Sequence, residues 1–139
     1  GYVSYLGRYM YFDRDGTIVE SSEMQTAGVP EVTGLKFDHV VMYEKLPVEN
    51  EEIFAQILDI TQSLDKYGLN ADKLFFDREY KVTLYFEGVR VQIGDNSSID
   101  EKFSRLKSIL PELAGKEGVL QMEGFTTDSK IIPFQEDKN

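Results

Sequence analysis

Two carboxylates two positions apart, Asp13 and Asp15, follow an apolar run in Phe12-Asp13-Arg14-Asp15-Gly16-Thr17-Ile18-Val19. Such a pair can hold Mg²⁺ and divide the work of phosphoryl transfer, one carboxylate as nucleophile and the other as general acid/base. Gly94-Asp95, with Asp100 further on, could complete an acidic metal-binding set. A calcium loop is a weaker fit, because the segment lacks a third acidic position and a bidentate Glu at the required spacing. His39 is the single histidine and stands beside Val40-Val41, the setting of a strand or loop residue and not of a ligand or base. The chain has no cysteine, which excludes a disulfide framework and a thiolate metal site.

The Phe12–Val19 octet resembles the first motif of haloacid-dehalogenase-type phosphatases. In that family the nucleophile ends a parallel strand, a Ser or Thr closes the next core strand, and a Lys opens a later helix. Here the stretch after Glu20 is polar and contains Pro30, and no hydrophobic strand ending in Ser or Thr precedes the first helix. A β-turn explains the same residues, with Asp13 accepting from backbone amides and Gly16 supplying positive φ. The turn is the preferred reading, with no catalytic residue, metal or cofactor assigned. The Mg²⁺-dependent phosphatase using Asp13 and Asp15 is kept as the alternative.

The elements around these residues point the same way. The 139 residues suit one domain, and 41% hydrophobic with 12% aromatic content supports a packed core. A net charge of −10 opposes binding to nucleic acid or anionic lipid. Tyr9–Phe12 and Thr17–Glu20 flank the Asp13–Gly16 turn as a hairpin. Ser21–Thr33 reads as a loop with an extended edge. From Glu49 to Tyr67, Ile53, Phe54, Ile57, Leu58, Thr61 and Leu64 recur at helical spacing, with Asn50 as N-cap and Gly68 as C′ residue.

Three strand-like runs follow at Lys73–Asp77, Lys81–Phe86 and Val89–Ile93, the last two joined by Glu87-Gly88. Ser98-Ile99-Asp100-Glu101 has the form of a capping box for a helix that Pro111 kinks or ends. Val119–Met122 and Lys130–Phe134 read as closing strands. The order predicts an α+β domain, a mostly antiparallel curved β-sheet with two α-helices packed on one face.

Four segments in order resemble the extracytoplasmic β domain of the FtsQ/DivIB cell-division family. They are Tyr9–Val19, Val29-Pro30-Glu31-Val32-Thr33-Gly34-Leu35, the hairpin Leu84–Gly94 with its Glu87-Gly88-Val89-Arg90-Val91-Gln92-Ile93-Gly94 core, and the helix Ser98–Leu113. Gly118–Glu123 is similar to the penultimate strand of the Gram-positive members. Gln121 and Glu123 stand where proteobacterial relatives carry Asp-x-Arg.

The resemblance implies a non-enzymatic scaffold of the division septum, held by a transmembrane helix outside this segment and facing the extracytoplasmic side. It implies FtsB/DivIC-like and FtsL-like bitopic partners and a chain monomeric on its own. The expected organisation is residues 1–8 as the end of an upstream POTRA domain or linker, 9–134 as the β domain and 135–139 as a disordered tail. A partner segment is expected to add as a strand along the C-terminal edge, at Ser129, Lys130, Ile131, Ile132 and Phe134.

Overall fold

A computed structural model describes residues 1–125 and 131–137. Among these residues nine strands form one sheet in the order β3-β2-β1-β4-β5-β6-β7-β8-β9. The strands are β1 (Tyr2–Tyr5), β2 (Arg8–Phe12), β3 (Ile18–Ser22), β4 (Glu31–Thr33), β5 (Lys73–Phe76), β6 (Val82–Phe86), β7 (Val89–Gly94), β8 (Gly118–Gln121) and β9 (Phe134–Glu136). Helix α1 (Glu52–Lys66) lies between β4 and β5, and α2 (Ile99–Ile109) between β7 and β8. Five of the eight strand pairings are antiparallel and three are parallel, so the sheet is mixed.

Topology explains why both helices share a face. β4–α1–β5 and β7–α2–β8 each join neighbouring parallel strands, and all four strands run in one direction. Both crossovers step the same way along the sheet. The right-handed rule for such crossovers then places α1 and α2 on one side. The core lies between: Val32, Leu74, Leu84, Val91 and Leu120 occupy one cross-strand row, each 0–2% exposed. Ile53, Phe54, Ile57, Ile60 and Leu64 of α1 and Phe103 and Leu106 of α2 cover it. Each such aliphatic or aromatic side chain contributes about 1.5–3 kcal/mol on burial.

Several local expectations hold. Asp13 Oδ1 accepts from the amides of Asp15 (2.9 Å) and Thr17 (3.0 Å), and Gly16 sits at φ +84°. Asn50 Oδ1 accepts from Glu52 N–H at 3.1 Å, and Gly68 ends α1 at φ +66°. Pro111 terminates α2, the chain continuing as a 3₁₀ turn over Leu110–Leu113. Others change. Ser98 stands before α2 at φ +53° and makes no side-chain cap bond, so the expected capping box is not formed. Glu31–Thr33, read as loop, is a strand, since its parallel pairing with β5 draws on residues some 40 positions away.

Both ends of the described chain join the sheet. Residues 1–8, placed outside the domain on sequence, supply β1 and the first residue of β2; β1 pairs with both β2 and β4. Gln135 and Glu136, read as disordered tail, belong to β9, and Asp137 N–H donates to Glu117 O at 2.9 Å. Among the described residues no helix is long and apolar enough to cross a membrane.

Lys102 is the one charged residue buried with the core among the described residues, at 0% exposure, its Nζ donating to Ile93 O at 2.6 Å. Burial lowers its pKa from the ordinary lysine value; nearby Asp95 and Glu123 act in the opposite sense, and Lys81 adds to the lowering. A lysine depressed in the native state costs stability at neutral pH. That cost fades as pH rises toward the unfolded value, because the unfolded chain binds the extra proton in that window. Relative to Lys102→Met, the wild-type domain should therefore gain stability from pH 7 to 10. Urea unfolding of both proteins across that range measures the difference, and a constant gap would contradict it.

Candidate partner-binding edge

A sheet of this kind has two edges, and here they are finished differently. At β3, Ile18 N–H donates to Glu44 O (2.9 Å) and Ile18 O accepts from Tyr43 N–H (2.8 Å). A one-residue register shift leaves Val19 unpaired between Ile18 and Glu20. Further along, the Arg8 guanidinium donates to Ser21 O (3.3 Å) and Ser21 Oγ (2.7 Å). Bulge, strap and arginine are devices that keep a strand edge from pairing with another chain.

β9 carries no such cover among the described residues. Its register on β8 is Gly118↔Glu136, Val119↔Gln135 and Leu120↔Phe134. Gln121 N–H donates to Pro133 O (2.8 Å) and Asp137 N–H to Glu117 O (2.9 Å). Antiparallel pairs alternate, so positions 133, 135 and 137 face β8, while Phe134 and Glu136 turn their N–H and C=O outward. Phe134 also extends the row Val32–Leu74–Leu84–Val91–Leu120, but is only half-buried. The core row ends at this edge with one side of its last aromatic open.

Gly118 makes the β8–β9 approach possible. A Cβ there would stand 2.4 Å from Gln135 O and 2.8 Å from Phe134 Cζ. Ion pairs tie the strand down: Arg90 with Asp137, and Lys116 with Glu136 at 3.8 Å. Both are partly exposed, so each contributes under about 1 kcal/mol.

The expected contact residues divide. Ser129 and Lys130 lie outside the described residues. Ile131 is 83% exposed and precedes the strand, Ile132 packs on the core in part, and Phe134 opens β9. Gln135 and Glu136 belong to the edge and were not singled out on sequence, as their polarity resembles a tail. The charged partners of this strand, Arg90 and Lys116, are distant in sequence and gave no local signal.

The acidic residues do not converge on a metal site. Asp13 and Asp15 sit in the turn of an antiparallel hairpin, with Asp13 Oδ1 engaged by two amides. Asp95 follows β7, five positions from β2 in the sheet, on the order of 24 Å at the usual strand spacing. Its carboxyl bonds the hydroxyl and amide of Ser97, which hold its pKa below the ordinary value. Asp100 pairs with Lys66 at 2.6 Å. Among the described residues no group of three or more metal-ligating side chains forms.

The family model described as "Cell division protein FtsQ/DivIB, C-terminal" matches residues 1–127. The chain belongs to the FtsQ/DivIB family. A role in cell division follows, together with an α+β domain of the FtsQ/DivIB type. No curated protein matches the chain.

Proposed function

We propose that this FtsQ/DivIB domain is a non-enzymatic scaffold at the division septum, docking an extended segment of an FtsB/DivIC-like protein along β9. FtsL-like proteins bind the same domain. The parent chain is anchored by a transmembrane helix outside this segment, with the domain on the extracytoplasmic side. The observation that carries the reading is the asymmetry of the edges. β3 has the N–H and C=O of Ile18 and the carbonyl of Ser21 bonded within the chain, whereas β9 offers the N–H and C=O of Phe134 and Glu136 beside an unfinished core row.

Strand addition supplies affinity through backbone bonds and specificity through alternate side chains. The residue placed beside Phe134 should be apolar, since it would extend the row of Leu120 and Val91. Titrating the domain with the extracytoplasmic segment of its organism's DivIC/FtsB-like protein tests this. Saturable binding with amide shifts concentrated at residues 131–137 is the expected result. Binding with shifts confined to β1–β3 would move the site to the other edge.

A further inference from the structure

The corner of the sheet farthest from β9 carries three exposed apolar side chains. Val19 is 47% exposed, Val41 45% and Tyr43 77%. Hydrogen bonds from Tyr43 N–H to Ile18 O, Ile18 N–H to Glu44 O and Glu44 N–H to Val41 O bring them together. Tyr43 holds φ +68°, a left-handed conformation that bulky residues rarely adopt and that glycine holds without strain. An aromatic kept there, its ring in solvent, works against both local backbone preference and burial. Strain and exposure of this kind gather at functional positions, and tyrosine is a common anchor of binding surfaces.

The two segments that form this corner run side by side, through the Thr17–Lys45 bridge and the bond from Leu46 N–H to Gly16 O, and their charge indicates what kind of partner fits. Residues 13–23 and 41–49 hold six carboxylates, Asp13, Asp15, Glu20, Glu23, Glu44 and Glu49, against two cations, Arg14 and Lys45. Arg8 is already engaged with Glu23 and Ser21. A second copy of this chain would bring the same acidic surface against itself. A basic segment with aliphatic side chains would find opposite charge at the rim and Tyr43, Val19 and Val41 at the centre.

We propose that the Val19–Val41–Tyr43 corner is a second docking surface, for a basic, aliphatic-rich segment of another protein. Contact is made through side chains, because the backbone groups of Ile18 and the Ser21 carbonyl are already bonded. The surface is independent of β9, so two partners can occupy the domain at once, one at each end of the sheet.

Two synthetic peptides test it, one alternating Lys and Val and the other alternating Glu and Val, titrated into the domain by NMR. The Lys/Val peptide should saturate shifts at Val19, Val41 and Tyr43, and weaken as salt rises. The Glu/Val peptide should not bind. Tyr43→Gly separates function from folding: glycine suits φ +68°, so the variant should melt no lower than wild type, yet bind the peptide at least about tenfold more weakly. Unchanged affinity in Tyr43→Gly, shifts confined to β9, or equal binding of both peptides would overturn the proposal. So would concentration-dependent shifts of the same residues without peptide, which would mark a self-contact.

Discussion

Glu136→Pro should reduce binding of the DivIC/FtsB-like segment by about tenfold to a hundredfold, with the melting temperature of the free domain changed by only a few degrees. The position is chosen by the alternation along β9. Glu136 turns its N–H away from β8, so proline there deletes an outward donor and leaves the bonds at 135 and 137 in place. Its ring would also project toward an incoming strand. A tenfold loss corresponds to about 1.4 kcal/mol, the scale of one net hydrogen bond at an interface. Glu136→Gln removes the Lys116 ion pair while keeping the N–H, and should bind nearly as well as wild type. Gln135→Pro instead breaks the β8–β9 ladder and should lower both stability and binding. If Glu136→Pro binds normally in calorimetry, strand addition at this edge is wrong.

The largest loss of stability is expected from Gly34→Ala. Gly34 ends the Val-Pro-Glu-Val-Thr-Gly stretch at φ +88°, and a Cβ on it would lie 1.9 Å from Phe76 O and 2.9 Å from the carbonyl carbon. Backbone cannot rotate out of the way as a side chain can, so β4 and β5 must part where Val32 and Leu74 meet in the core. Left-handed strain costs about 1–3 kcal/mol, and forced overpacking about 1–3 more. The expected sum is roughly 2–6 kcal/mol, a fall in melting temperature on the order of 10–20 °C. Gly7→Ala is the control: φ is +78° but nothing lies within 4 Å, so it carries the backbone term alone. Equal losses in the two variants would show that the close approach to Phe76 does not matter.

What could be read from the sequence was local. The Asp13–Gly16 hairpin, the β6–β7 hairpin and both helices rest on periodicity and turn residues a few positions apart. β4 was hidden because three residues after a proline carry no period, and its parallel partner is beyond the intervening helix. β9 was displaced because Ile131-Ile132 is more strand-like than Phe134-Gln135-Glu136. Pro133, facing β8 without an N–H, delays the ladder to the residues after it. Lys102 was visible in principle: it lies three positions after Ile99 and four before Leu106, on the stripe that packs inward. The guarded state of β3 was not legible, since it depends on Arg8, Tyr43 and Glu44 meeting that strand from separate parts of the chain.

The unequal finish of the two edges also governs how copies of the chain can meet. A sheet with both ends open can stack head to tail without limit and grow into a fibre. With β3 bulged and partly bonded over, the strand edge that an exposed β9 can meet in another copy, among the described residues, is that copy's own β9. Such a contact is related by a two-fold axis and closes at two subunits. The domain can therefore gather at high local density, with a reactive strand on display, while its guarded β3 edge opposes open-ended β polymerisation.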